Sequence, residues 1–328
     1  MEDTVKQARE QITKSQQPTP VTIQPRLCSQ CGAQFDSLPT MNNPANIALP
    51  FFAYGLFQPG QLGFDRIDQH VHKWQMHCAT GGTLWIRDGI PLLELGGSDK
   101  ISGTLVFFLP TDAALAYQRI CEIEPDDQYR WGEIDVTYHV GHGDTSARAN
   151  ALIGRKPKRG GVLFEGNAWD GRNDPLFKEG LAVVEDILNR NLHFDNDFKS
   201  LFSLQMAYLL LWSAIERYAG LRYHLGNEPR KKVLQIATDP TFIKELSRLP
   251  ADSKRIVFRG DDPEVKERFQ PDNPKKTLDY YYQVRSNLTH RGKAANNDFV
   301  IILEALRDLL PIFNRVLDDA FKSYPVRH

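Results

Sequence analysis

A change of texture near residue 170 constrains this chain more than anything else in it. From about residue 47 to 168, short apolar runs alternate with glycine and proline turns, the pattern of β-strands. The runs are 50–54, 83–86, 103–108 and 133–138. One helix interrupts them, with Thr111-Asp112 as its cap and 114–120 as its continuation. Beyond Trp169-Asp170-Gly171-Arg172-Asn173-Asp174-Pro175 the period lengthens to that of helices. Leu204, Tyr208, Leu211, Ile215 and Ala219 keep a three-to-four spacing, and Leu209, Leu210 and Trp212 make the same helix apolar nearly all round. A second helix is predicted over 240–249, and a third carries Tyr280, Tyr281 and Tyr282. The last repeats Phe299, Ile302, Leu306, Leu310, Phe313, Leu317 and Phe321, with a bend at Pro311. The expectation is an α+β chain, a mixed sheet or barrel followed by an all-α bundle.

With 328 residues there is chain enough for two cores. The division expected is a flexible leader over 1–25, a knuckle segment over 26–46, the β-rich domain over 47–168, a linker and connecting helix over 169–194, and the bundle over 195–328. Lys+Arg 40 against Asp+Glu 41 leaves a formal charge of -1, so no overall field draws nucleic acid to the protein. RNA contact would have to come from local clusters such as Arg155-Lys156-Pro157-Lys158-Arg159 or Arg291-Gly292-Lys293. Four cysteines are too few for a disulfide scaffold and suit a reducing, cytoplasmic setting. The longest apolar run, 206–215, is broken by Ser213 and is shorter than the roughly 20 residues that span a bilayer, so no membrane is expected. Cys28-x2-Cys31 followed by Gly32 is half of a zinc ribbon. Completing it would take His70, His72, His77, Cys78 or a second subunit, and free thiols in a turn compete with zinc. No other cofactor is expected. His70 and His72 read as one solvent-facing side of a strand.

Chemistry concentrates in Tyr282-Gln283-Val284-Arg285-Ser286-Asn287-Leu288-Thr289-His290-Arg291-Gly292-Lys293. A guanidinium holds phosphate with a planar fork of donors, and an imidazole moves protons near neutral pH without a metal. Cleavage of RNA by attack of a 2′-hydroxyl needs both: Arg285 to neutralise the phosphorane and His290 to carry the proton. Asn287 or Thr289 can orient the phosphate or the imidazole, Arg291 and Lys293 can hold the backbone, and Tyr282 can stack a base. Five residues along an ideal helix leave Arg285 and His290 roughly 140° apart. Convergence then needs arginine's length, a break at Gly292, or two subunits pooling their residues. The competing assignment pairs Arg285 with an acid such as Glu216 or Asp279 and makes His290 a satisfied core group.

The Arg285-x4-His290 spacing, with the long helix ending Trp212-Ser213-Ala214-Ile215-Glu216-Arg217-Tyr218, resembles HEPN domains over about residues 195–325. Where that family commonly carries Asn, Asp or His after the arginine, this chain has Ser286. The resemblance implies a metal-independent endoribonuclease, a homodimer through the bundle, a role as a toxin or in antiviral defence, and restraint by an antitoxin or regulatory partner. In the first half, Tyr54-Gly55-Leu56-Phe57-Gln58-Pro59-Gly60, then Gly103-Thr104-Leu105 and Glu124 to Tyr129, resemble gamma-glutamylcyclotransferase-like (AIG2-like) domains over about 48–140. Leu56 stands where that family has a hydroxyl residue. This second resemblance implies Glu124 as the proton-transfer acid, backbone N–H groups of Tyr54, Gly55 and Leu56 with Tyr129 around a small γ-glutamyl-like ligand, and either release of 5-oxoproline or a sensor role. The bland assignment for Glu124 is a helix-end carboxylate in an acidic patch with Glu122, Asp126 and Asp127. A non-catalytic module that binds RNA or protein and dimerises is the third expectation.

Overall fold

The β-type runs of the first half pair into a sheet that closes on itself. The computed structural model describes residues 26–27, 34–35, 41–140, 143–190, 198–224, 229–251, 255–259, 262, 264–291 and 296–321. The leader over 1–25, Cys28, Cys31 and Lys293 lie outside the described residues, as do the side chains of His290 and Arg291. Residues 1–40 form one compact unit, in which β1 (Arg26–Leu27) and β2 (Gln34–Phe35) pair antiparallel, and 41–328 form another.

In the larger unit β3 (Phe51–Ala53) lies antiparallel to β5 (Ile90–Phe108) and parallel to β7 (Gly143–Gly154). β6 (Tyr129–Val140) pairs antiparallel with β7 and reaches β4 (Val71–Arg87) at Ala79↔Thr137. β4 and β5 are the two arms of one hairpin, so the order β5-β3-β7-β6-β4 returns to β5 as a ring. β8 (Val162–Leu163) adds to β4. The runs 83–86 and 103–108 are therefore the ends of strands 17 and 19 residues long. Glycines at 81, 82, 96 and 97 hide that continuity in the sequence, and β4 shifts register three times to accommodate the curvature, once around His77 with its left-handed φ of 57°.

The hairpin turn is Asp88-Gly89, with φ of 53° and 76°. Two positive angles make the two-residue turn whose twist matches that of its strands, and Asp-Gly is a favoured pair for it. Gly89→Ala forces an L side chain into that angle and sets its Cβ 2.5 Å from Asp174 Oδ2. A loss of about 1–2 kcal/mol of stability is expected, read as a lower denaturant midpoint at unchanged slope.

The helix of this half, α1 (Ala113–Ile123), packs Tyr117 and Ile120 into the barrel core, where Tyr117 Oη donates to Leu49 O at 2.7 Å. Asp112 is its N-cap residue without making a side-chain cap bond. The carboxylate instead accepts from Thr111 Oγ1 and stands 3.3 Å from His70 Nδ1, and these contacts hold its pKa below the usual range. His70 is buried in a tight turn over Asp68–His70, contrary to the solvent-facing strand expected, whereas His72 and His77 are exposed.

The second half is helical. A π-type turn (Leu176–Gly180) runs into α2 (Leu181–Arg190), followed by α3 (Phe198–Tyr223), α4 (Pro229–Gln235), α5 (Pro240–Leu246), α6 (Pro274–Arg291) and α7 (Asn296–Ala320). A two-strand ribbon, β9 (Ile256–Phe258) and β10 (Lys266–Arg268), precedes α6. Asp239 caps α5 by accepting from the N–H groups of Thr241 and Phe242, with Pro240 preset at the first helical position. α7 continues as helix through Pro311. α3 is long and apolar enough to cross a membrane by length and composition, yet Leu204, Tyr208, Leu211, Trp212, Ile215 and Tyr218 are buried in the bundle core. Each such side chain contributes roughly 1.5–3 kcal/mol by leaving water. Tyr280 and Tyr281 are core as well, and Tyr281 Oη donates to Asp308. Arg255 lies 4.1 Å over the Phe269 ring and 2.7 Å from Asp308, tying the ribbon to α7.

Candidate functional site

Two places gather the residues that the sequence singles out. The first is a cavity where β3 ends. Tyr54, Gly55 and Leu56 leave the strand beneath Ile90 and Pro91 of the β4–β5 hairpin, while Glu124 from the end of α1, Tyr129 from β6 and Leu152 from β7 complete the lining. The Tyr54 hydroxyl donates to Leu152 O at 2.5 Å and accepts the Leu93 N–H at 3.2 Å. The Tyr129 hydroxyl donates to Pro91 O at 2.9 Å. Burial raises both phenols above their ordinary range, and the nearby Glu124 carboxyl adds to the effect.

Glu124 is the group without an answer inside this cavity. It is buried, with 6% exposure, and among the described residues no hydrogen bond or charge partner offsets the effect of that burial on its carboxyl. Its backbone N–H closes α1 on Ile120 O, which aims the side chain inward. Burial alone pushes its pKa up to about 8, so the carboxyl is largely protonated at neutral pH. The acidic-patch assignment does not describe Glu124: Glu122 pairs with Arg119, Asp126 pairs with Arg155, and Glu124 is buried. The cavity measures only about 20 Å³, room for about one water. A Cβ on Gly55 would come within 2.8 Å of Pro91 Cγ, so the roof rests on the Tyr54-Gly55-Leu56 turn.

The second place is the end of α6. Arg285 keeps 27% of its side-chain surface and meets Glu216 of α3 through a single 3.3 Å contact. Its guanidinium also lies 5.9 Å over the Tyr282 ring, which meets Trp212 edge-on with ring centroids 5.7 Å apart. α6 stays helical through His290 and Arg291, and Gly292, where a break was expected, lies outside the described residues. Asn287 is engaged at both ends of its amide, donating to Phe258 O at 2.8 Å and accepting from Gln283 at 3.0 Å. Thr289 Oγ1 donates back to Arg285 O and Ser286 O of its own helix. Asn287 thus ties α6 to the ribbon, and Thr289 is turned toward its own backbone.

Other candidates are occupied by structural work. Arg155 binds Asp126 and Tyr129 O, and Lys158 pairs with Glu94 above the Trp85 ring. Among the described residues no group of three His, Cys, Asp or Glu side chains could hold a metal. Burial pushes the Cys78 thiol up to about 11. What sequence reading missed is the contact between the two places: Asp88, Gly89, Asp174 and Arg217. The Asp-Gly pair was the one signal that could have located the hairpin tip. No family model matches the chain, and neither a curated protein nor a solved structure does.

Proposed function

We propose that this protein is a metal-independent endoribonuclease of HEPN type, with the β-rich domain as its small-molecule sensor. The observation supporting this reading is that Arg285, although paired with Glu216 as the competing assignment expects, keeps a part-exposed guanidinium on the helix that also carries His290. In the reaction, imidazole takes the proton of a 2′-hydroxyl and the freed oxygen attacks phosphorus. The P–O5′ bond breaks, the 5′-oxygen leaves with a proton, and a 2′,3′-cyclic phosphate remains. Arg285 neutralises the charge that builds on the phosphorane oxygens.

Five residues along an ideal helix set positions 285 and 290 roughly 140° apart, so a second copy is the natural source of the complementary group. An apolar stripe of Phe198, Phe202 and Met206 on α3, with 59%, 51% and 69% exposure, supports pairing through the bundle. It begins N-terminal to the apolar stretch 204–219 and overlaps it at Met206, while most of that stretch's apolar side chains are core. Cleavage of single-stranded RNA in excess EDTA, with cyclic phosphate ends, is the test; no cleavage across a panel of RNAs rejects the reading.

One observation favours a second reading. An unpartnered, buried carboxyl that is protonated at neutral pH is suited to proton transfer on a small substrate, as in gamma-glutamylcyclotransferase-like enzymes. The loss of a hydroxyl at Leu56 and the small cavity weigh toward sensing rather than turnover. Wild type should release 5-oxoproline from γ-glutamyl peptides and Glu124→Gln should not, under this reading; silence of the wild type leaves the sensor role.

A further inference from the structure

A short series of fixed contacts joins the roof of the Glu124 cavity to Arg285. Arg217 on α3 donates from Nη2 to Asp88 O at the hairpin tip and from Nε to Asp174 Oδ2 at 2.9 Å. Asp174 is buried, and the turn sits flush on the pair, since a Cβ on Gly89 would stand 2.7 Å from Arg217 Nη2. The next two residues, Ile90 and Pro91, are the cavity roof. Ile90 packs against the barrel core and the helical core alike, and Leu56 of the cavity floor belongs to the helical core. One residue before Arg217 on α3, Glu216 holds Arg285.

The cavity admits about one water, so a larger ligand entering it displaces part of its lining, of which Ile90 packs on the helical core as well as on the barrel core. Packed walls respond by shifting as units. The side of the roof nearest the bundle is tethered by Arg217 alone among the described side chains that bond the hairpin tip. An occupied cavity and an intact Arg217–Asp88 contact therefore oppose each other.

We propose that Arg217 is the positioning residue through which occupancy of the Glu124 cavity releases Arg285: lifting Ile90 and Pro91 draws Asp88 from Arg217, and the α3 turn bearing Glu216 loosens its hold on the guanidinium. The ligand is a small molecule presenting an amine or other N–H group, because the one unanswered group in the cavity is a carboxyl that can both donate and accept a hydrogen bond. In the closed state Glu216 competes with RNA phosphate for Arg285, so the empty cavity keeps the protein restrained. This proposal rests on the ribonuclease reading for its activity readout alone.

The test uses the full chain with Gly55→Ala as a built-in wedge, since the added methyl presses on Pro91 from inside the cavity. Amide hydrogen exchange followed by mass spectrometry should quicken about two- to five-fold over 86–93, over 213–219 of α3 and over 282–288 of α6, the range that one weak ion pair sets. RNA cleavage should rise by a similar factor. With Arg217→Lys already present, adding Gly55→Ala should still quicken the hairpin and no longer change α3, α6 or cleavage. Faster exchange confined to 86–93, or effects that simply add in the double variant, overturn the proposal. Coupling is reciprocal, so Arg217→Lys alone must quicken exchange over 86–93, and unchanged exchange there sinks the idea even where Gly55→Ala does not fold. A wild type silent on RNA rejects the ribonuclease reading and leaves the exchange arms to decide this one.

Discussion

Glu124→Gln is expected to make the protein more stable at pH 7 to 8, with the advantage vanishing near pH 4 to 5. The folded carboxyl has its pKa raised from 4.5 to about 8 by burial, while the unfolded chain ionises near the ordinary value. Between those two values the unfolded state gains by losing its proton and the folded state does not. Wild-type stability from this group is thus fully present below pH 4.5 and drains away as pH climbs toward 8. By pH 7 the deficit is on the order of 3 kcal/mol. Glutamine has no charge to lose, though its amide must also sit without a partner in a cavity lined by Leu56, Pro91 and Leu152. The net gain is about 1–3 kcal/mol. Urea denaturation of both proteins at pH 4.5, 6 and 8 reads it directly. Parallel pH profiles would mean that water or another group already answers the carboxyl.

The second large effect is on RNA cleavage. His290→Ala should lower the cleavage rate by about 10²–10⁴-fold, the usual worth of a positioned proton-transfer group. Arg285→Ala should cost about 10²–10³-fold, by analogy with removing one donor from a charge-stabilising site. Arg285→Lys is expected to rescue only in part, because an ammonium is a point charge without the planar fork. Glu216→Gln is informative in the other direction: with its competitor neutralised, Arg285 should bind phosphate more readily, raising cleavage rather than lowering it. Wild-type rates in His290→Ala would remove the histidine from the mechanism and, with it, the ribonuclease assignment. Comparing the cyclic phosphate ends between variants separates a lost proton transfer from a contaminating nuclease.

The two halves were legible because their signals are local. Strand runs at 50–54 and 133–138 and helices over 204–219 and 299–321 follow from side chains recurring every two or three to four residues, which the chain carries wherever it folds. The Arg285 pairing with Glu216, one of the two acids expected, follows from two apolar helices that must pack and so bring their flanking charges together. The length of β4 and β5 was not legible, because glycines interrupt the alternation while the ladder tolerates them through register shifts. His70 also escaped. Its neighbours read as a strand, but burial and a contact with Asp112, 42 residues away, depend on where α1 begins in space.

Residue order alone settled the succession of β and α elements, the apolar faces that form the two cores, and the identity of the groups with chemistry to offer. Only the tertiary structure decided what those groups experience. Burial raises the Glu124 pKa because the Tyr54 turn, the hairpin tip, β6 and β7 converge on it from across 98 residues. Arg217, unremarked in the sequence, became the link between cavity and helix because two distant segments meet at its guanidinium. Dielectric and proximity are properties of the assembled fold, and no periodicity along the chain encodes them.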